Sequence, residues 1–423
     1  METQHDKLLI VGAGHAGSEL AVAARQAGWP GRIVLLGDER VVPYQRPPLS
    51  KAYLLGKSDV EELALRPATA YETAGIELVQ GARLECIDRT AHTVALSDGT
   101  TLSYDKLALC TGGRPRPFVC EGIDGEDPPE NLMYLRTLGD ADGIRARLQP
   151  DSHLVVIGGG YVGLEVAASA RGQGARVTVI EAQSRVLARV AGVDVSRFYE
   201  RVHLEAGVDI LTGTGVASVA CEGRRIVAVN CSSGQSLQVD LVVAGIGMLP
   251  NIEAAQLAGL AGPGGILVNQ FACTSDPDIV AAGDNTLQQH PLYGREVRLE
   301  SVPNALEQAR AAASWLCGKP KPNHSVPWFW SDQYDLKLQM AGLSQGHDRC
   351  VLRGDPSTRS FCAFYLEGNR LLAIDAVNRP GDFMVTRRAL GQSVLVDADR
   401  LCNEALQLKE IFLDETAKIQ GKP

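Results

Sequence analysis

No C-x-x-C occurs anywhere in this chain, and no cysteine at all precedes Cys86. The first absence removes the usual ligand spacing of a structural zinc site or an iron–sulfur cluster. The 10 cysteines are scattered, and in a reducing compartment the simplest expectation for them is a role as small buried hydrophobes. No apolar run approaches membrane-spanning length, and METQHDK has neither the basic nor the apolar region of a secretory signal; a cytoplasmic protein is expected. Positive charge is not in excess: 41 Lys and Arg against 50 Asp and Glu give a net charge of −9. That argues against nucleic acid or an anionic membrane as the main partner, although a local basic patch stays compatible with it. Low-complexity sequence is missing as well. What is left is an ordinary globular composition, 45% hydrophobic and 22% charged, in 423 residues, enough for two to four domains with ample cores.

The most informative stretch is His153–Glu181, HLVVIGGGYVGLEVAASARGQGARVTVIE. Leu154–Ile157 reads as a buried strand, Gly158, Gly160 and Gly163 satisfy G-x-G-x-x-G, a helical rhythm runs from Leu164 to Gln173, and Val177–Ile180 is a second strand ending at Glu181. Each glycine has a separate task in a dinucleotide site: a tight turn, close approach of backbone to the pyrophosphate, and packing of helix on strand. The helix N-terminus offers N–H groups and partial positive charge to the phosphates. A carboxylate at Glu181 accepts ribose hydroxyls and repels a 2′-phosphate, which favours NAD over NADP; Arg185 and Arg189 follow closely and weigh the other way.

A lone glycine motif is weak evidence, but this one has a copy. Lys7–Val11 leads into Gly12, Gly14 and Gly17, then a helical run to Ala27 and a strand at Ile33–Leu36. The alternative, two accidental glycine turns, has to explain why the flanks match piece by piece. In the first copy Gly37 stands where Glu181 stands in the second, so the expected ribose contact moves to Asp38.

Between the copies, Val42–Lys51 (VPYQRPPLSK) reads as a rigid loop that excludes helix, carrying Arg46 and Lys51. Strands are expected at Glu77–Gln80, Thr93–Leu96 and Lys106–Cys110, and the acidic segment Glu121–Glu130 reads as a boundary loop. After the second copy come a strand pair, Ile226–Cys231 and Leu237–Ala244, the Gly245-Ile246-Gly247 loop, and an apolar strand Ile279–Asp284. An acid after glycine at a strand end, as in Gly283-Asp284, lies where open α/β sheets bind ligands. A helix is expected from Val302 to Cys317 and a Pro-rich linker at Lys319–Pro327. The last segment reads as strands at Trp328–Ser331, Lys337–Ala341, Arg349–Leu352, Ser360–Leu366 and Leu371–Val377, then helices near Asp382–Leu390 and Asn403–Lys418.

VGAGHAGSELA, PYQRPPLSKAYL, CTGGRPRP, LVVIGGGYVGLEVAA, VVAGIGMLPN, AAGD, ESVPNALEQA and PWFWSDQY together resemble the FAD- and NADH-dependent ferredoxin reductases of bacterial cytochrome P-450 and oxygenase systems, over essentially the full length. The resemblance implies an α/β fold: two Rossmann-like, glutathione-reductase-type dinucleotide-binding domains plus a C-terminal α/β domain. The expected boundaries are 1–115 and 245–325 for the FAD domain, 116–244 for the NADH domain and 326–423 for the last. It implies FAD contacts at Gly12, Gly14, His15, Ala16, Gly17, Asp38, Arg46, Lys51, Leu84, Arg136, Asp284, Val302 and Trp330. For NADH it implies Gly158, Gly160, Tyr161, Val162, Gly163, Glu181 and Gly247. Lys51 and Glu165 are the expected catalytic pair, a cation beside the flavin steadied by a carboxylate; the plain alternative is a solvated lysine and an exposed helix glutamate. Without the resemblance, Trp328 and Trp330 read as core aromatics.

The absence of cysteine before Cys86 bears on the reaction. Dithiol and peroxidase types on this architecture need cysteine near residues 42–51, so electrons are expected to leave singly for an external 2Fe–2S ferredoxin that feeds a cytochrome P-450. Rubredoxin, or the ferredoxin of an aromatic-ring dioxygenase, is the runner-up acceptor, and a redox sensor resembling apoptosis-inducing factor is the reading from another class. Arg66, Arg310 and Lys337 are candidate docking residues, solvated surface charge being the alternative for each. A monomer or weak dimer is expected.

Overall fold

The computed structural model describes residues 6–123, 127–392 and 394–412. Residues 124–126 of the expected boundary loop and 413–418 of the expected last helix lie outside them. The chain divides into two compact units, Met1–Gln45 with Val60–Arg114 and Leu249–Pro327, and Arg46–Asp59 with Pro115–Met248 and Trp328–Pro423. The segment 46–59, placed by the expected boundaries with the first part of the FAD domain, clusters with the second unit, as do residues 328–423.

In the first unit, strands β1 (Leu8–Val11), β2 (Ile33–Gly37), β3 (Ile76–Gln80), β4 (Lys106–Leu109) and β5 (Ile279–Ala281) form one parallel sheet in the order β5-β4-β1-β2-β3. β1 is apolar at every position because both faces of the sheet are covered, as parallel sheets require. Leu8 and Ile10 point into a cluster with helices α1 (His15–Ala27) and α2 (Val302–Leu316), while Leu9 and Val11 point into a second cluster with Val94, Leu96 and Leu260. The facing helix surfaces are small: Ala16, Ala21 and Ala24 on one, Ala305, Ala309 and Ala312 on the other, all buried in the same cluster. Leucine in place of Ala309 would overpack this seam at a cost of about 1–3 kcal/mol.

The second unit repeats the plan. β6 (His153–Ile157) pairs in parallel with Arg176–Glu181 and Leu241–Ala244, and Leu154 and Val156 face one core while Val155 and Ile157 face another. The expected strand Leu237–Ala244 is in fact two: Ser236–Gln238 joins an antiparallel sheet with Arg225–Cys231, and Leu241–Ala244 enters the parallel one. Asp240 lies at the break, where its carboxylate accepts the His153 N–H at 2.8 Å. The C-terminal segment is a five-stranded antiparallel sheet followed by helix Pro380–Leu390. One face of that sheet, with Phe361, Ala363, Tyr365 and Leu338, joins the core of Leu154 and Val156.

Three further expectations are corrected. The loop 42–51 does contain helix, a 3-10 turn at Pro47–Ser50; proline suits its start because the first helical residues need no N–H partner. Of the ten cysteines only Cys110, Cys231, Cys273 and Cys362 are buried, while Cys86, Cys221 and Cys402 are exposed. Burial pushes the Cys110 thiol up to about 12 and Cys273 to about 11, so neither is a reactive thiolate. Residues 398–402 and 408–412 are helical where a single helix from Asn403 was expected. No helix among the described residues is long and apolar enough to cross a membrane.

Candidate functional site

The two glycine turns are built alike. Gly12 and Gly158 take φ of +109° and +105°, and a Cβ on either would lie 2.0 Å from Cys110 O or 2.5 Å from Gly245 O. A Cβ on Gly17 would meet Gly12 O at 1.9 Å, and one on Gly163 would meet Gly158 O at 2.1 Å; these glycines let helix and turn close on each other. Gly14 and Gly160 differ from both. Nothing lies within 4 Å of the Cβ either would carry, and each begins a helix whose first turn no side chain caps. Open space before helix-start N–H groups that no side chain caps suits a pyrophosphate. The residues fit the phosphates of two dinucleotides, one in each unit.

In the first unit, β5 brings Gly283 and Asp284 to the same edge of the sheet as Gly12, and the Cβ position of Gly283 is 3.3 Å from Ala16 Cβ. The Gly283 N–H donates to Gln308 Oε1 at 2.8 Å, which fixes the turn. Asp284 is half-buried. Asn285, passed over in the sequence, donates to Leu109 O and Thr111 Oγ1, and its own Oδ1 is buried with no partner among the described residues. Val302 starts helix α2 behind the Ser301 cap. Asp38 is exposed just past β2, and Leu84 packs at the edge of the cluster around Val94.

The second unit holds the other expected contacts. Lys51 Nζ lies 2.8 Å from Glu165 Oε2, with side-chain exposures of only 18% and 4%. Glu165 sits on the first turns of the helix Tyr161–Gly172, so the turn that opens Gly160 also aims this carboxylate. Ser50 Oγ donates to its Oε2 at 2.5 Å and Ser331 Oγ to its Oε1 at 2.6 Å. The exposed-helix alternative for Glu165 is therefore wrong. Lys51 also donates to Pro47 O at 3.2 Å, and Arg46 donates to Arg136 O at 2.6 Å. Ser50 and Ser331 could not be singled out beforehand, since serine beside lysine or tryptophan carries no pattern.

Trp328 and Trp330 alternate with Phe329 along one strand. Phe329 packs on Tyr161, with ring centroids 5.0 Å apart, while the two indoles lie 5.6 Å from each other and stay partly exposed. Tyr161 donates its hydroxyl to Met340 Sδ at 2.6 Å, and Val162 is exposed.

Around the second glycine turn, Glu181 is held from both sides. Gly159 N–H donates to Oε2 and Gln183 N–H to Oε1, each at 2.8 Å. Each oxygen keeps a second lone pair for a ribose hydroxyl. Arg185 spends its donors on Ala188 O, Ala191 O and Ser196 Oγ, so it closes its own loop instead of waiting for a 2′-phosphate. Arg189 reaches within 3.9 Å of the Cβ position of Gly247, itself at φ +106°. The candidate docking residues are less free than they looked: Arg66 and Arg310 both bind Glu19, at 3.0 and 2.8 Å. Lys337 lies on the strand Leu336–Gly342 with an exposed side chain.

Two dinucleotide cradles and a buried lysine–carboxylate pair define a nucleotide-dependent oxidoreductase. Residues 6–309 match the pyridine nucleotide-disulphide oxidoreductase model and residues 328–412 the reductase C-terminal model. Putidaredoxin reductase of Pseudomonas putida is 48% identical over 420 residues, 99% of each chain. A probable ferredoxin reductase of Castellaniella defragrans is 44% identical, covering 96% of this chain and 98% of its own. The reductase in the crystal structure of the covalent putidaredoxin reductase–putidaredoxin complex superposes with a TM-score of 0.94 at 48% identity, covering 97% of this chain and 99% of that one. The chain belongs to the pyridine nucleotide-disulphide oxidoreductase family, and with it to the FAD- and NAD(H)-dependent oxidoreductases.

Proposed function

We infer that this protein is an NADH-dependent ferredoxin reductase that takes hydride equivalents from NADH and delivers electrons one at a time to a 2Fe–2S ferredoxin serving a cytochrome P-450, in the cytoplasm. The observation that carries this reading is the segment 42–51, where thiol-dependent relatives need cysteine and this chain has Lys51 paired with buried Glu165. With no thiol there to receive electrons, they pass to an outside acceptor, and the full-length likeness to named ferredoxin reductases supports which kind.

On this reading residues 1–115 and 245–325 form the FAD domain, 116–244 the NADH domain and 326–423 the C-terminal domain. FAD, when bound, supplies the conversion from a two-electron donor to one-electron delivery. Gly12, Gly14, His15, Ala16 and Gly17 hold its pyrophosphate, Asp38 and Leu84 lie toward its adenosine, and Asp284 and Val302 toward the rest of the cofactor. Arg46, Arg136 and Trp330 are the remaining FAD contacts on this reading. Lys51 places positive charge where electron density accumulates, and Glu165 fixes that ammonium. Gly158, Gly160, Tyr161, Val162, Gly163 and Gly247 receive NADH, and Glu181 selects it against NADPH by more than about tenfold, a difference of roughly 1.4 kcal/mol.

The test is direct. Purified protein should carry one FAD per chain, released unmodified on denaturation. Anaerobic NADH should bleach it, and a 2Fe–2S ferredoxin should then turn over. Protein that shows no flavin band after FAD supplementation would sink the cofactor assignment. Bleaching without turnover, even with ferricyanide as a one-electron acceptor, would favour the redox-sensor reading.

A further inference from the structure

The loop 182–192, between Glu181 and the helix Val193–Glu205, is fastened along its length, Gly213 N–H donating to Gln183 O at 2.7 Å, Val186 N–H to Glu200 Oε1 at 3.1 Å and Ser196 Oγ to Val186 O at 2.6 Å. Leu187 N–H donates to Gly159 O at 2.9 Å, the same Gly159 whose N–H holds Glu181. Arg185 ties the middle of the loop to its end through Ala191 O and to the helix through Ser196 Oγ. The fastening at its end comes from the C-terminal sheet of the same unit: Gly192 N–H donates to the buried hydroxyl of Tyr365 at 2.8 Å.

That hydroxyl donates in turn to Asp375 Oδ2 at 2.5 Å. Strand pairing sets Ala363 opposite Asp375 and Tyr365 opposite Ala373, so Tyr365 and Asp375 are diagonal neighbours on one face. Gly192 has an ordinary φ of −71°, and what requires glycine there is room. A Cβ would lie 2.7 Å from both Cε1 and the hydroxyl oxygen of Tyr365. The ring is seated against bare backbone, and the hydroxyl points where the loop ends.

We propose that Tyr365, steadied by Asp375, is a positioning residue for NADH: by fixing Gly192 it sets the loop that backs Gly159 and Glu181, and hence the affinity for the adenosine half of the dinucleotide. This rests on the assignment of Gly158–Gly163 and Glu181 to NADH. Tyr365→Phe keeps the ring and removes the hydroxyl, which takes the donor from Asp375 Oδ2 and leaves the buried Gly192 N–H to shift and find another partner.

In the FAD-loaded enzyme, stopped-flow reduction by NADH separates apparent Kd from the limiting rate. Tyr365→Phe should raise Kd by about fivefold to tenfold, the equivalent of one buried hydrogen bond, and leave the limiting rate within about twofold. Asp375→Asn keeps the Gly192 bond but loosens the ring, and should raise Kd by about two- to threefold; it serves if Tyr365→Phe does not fold. An unchanged Kd in the folded variant, or equal losses in Kd and limiting rate, overturns the positioning role. Glu181→Ala is the control. If it too leaves Kd unchanged, the nucleotide assignment is what failed; if it weakens NADH while Tyr365→Phe does not, only the positioning role fails.

Discussion

Replacing Lys51 by methionine removes the only cation bonded to Glu165 among the described residues and keeps most of the apolar volume. The carboxylate is 4% exposed, and its remaining donors are two neutral hydroxyls, Ser50 and Ser331. Stranding a buried charge in this way costs about 3–5 kcal/mol. Lys51→Met should therefore lose about 3–5 kcal/mol at pH 7. Equilibrium urea unfolding of the FAD-loaded protein, followed by circular dichroism, measures this. Glu165→Gln in the Lys51→Met background should restore at least half of the loss, because a neutral pair needs no counter-charge. A loss under about 1 kcal/mol at pH 7, or no recovery in the double variant, would refute the claim that Glu165 is a buried charge held by Lys51.

Charge reversal at Arg310 puts a carboxylate beside Glu19 while Arg66 keeps its own bond to that residue. Arg310→Glu should raise KM for the ferredoxin and flatten its salt dependence, with NADH reduction of the flavin unchanged; unaltered turnover at low salt would remove Arg310 from the docking surface. Asp375 supplies a pH test. Burial raises its carboxyl to about 7 against the Tyr365 hydrogen bond, so its folded form favours the proton, and the stability it contributes at low pH is lost as pH rises from about 4 through 7. Facing it are Tyr365, Tyr161, Tyr199 and Cys350, all pushed upward by burial, with Cys350 at about 12, so none titrates in that window. Asp375→Asn should gain stability relative to the unmodified protein as pH rises from about 4 to 7, by up to roughly 1.4 kcal/mol per pH unit, and level off above it; a difference independent of pH would mean that Asp375 is not protonated there.

Both parallel sheets were legible because strands covered on two faces are apolar at every position, and glycine marks where each must turn. Lys51 and Glu165 were legible through the resemblance, but their burial was not. Nothing in RPPLSK distinguishes a solvated lysine from one seated on a carboxylate 114 positions later. The strand Leu237–Ala244 was misread because one hydrophobic run crosses from an antiparallel ladder to a parallel one, and periodicity does not report which neighbour a strand takes. Tyr365 and Asp375 were invisible as partners of the nucleotide loop. Their signal is a long-range register, and glycine at 192 reads from sequence as a turn residue instead of as space for a ring.

The two glycine motifs also explain why the first lacks an acid at its strand end. Register aligns them: Val11 pairs with Leu36 as Ile157 pairs with Ile180, so Gly37 and Glu181 occupy the same place. A Cβ on Gly37 would lie 2.7 Å from Ala13 Cβ, closer than side chains approach each other. In the second copy the counterpart of Ala13 is Gly159, whose absent Cβ would lie 3.2 Å from Glu181 Cβ. A side chain on the strand end thus depends on a bare backbone in the middle of the turn, and the bare backbone then donates its N–H to the acid, as Gly159 does. Ala13 in the first copy removes the room. The acids there follow one and two positions later, where Asp38 is exposed and Glu39 already accepts the Tyr44 hydroxyl at 2.6 Å. One methyl group in a turn therefore decides which of two copies holds a fixed carboxylate at its strand end, and the copy that does so is the one proposed to bind NADH.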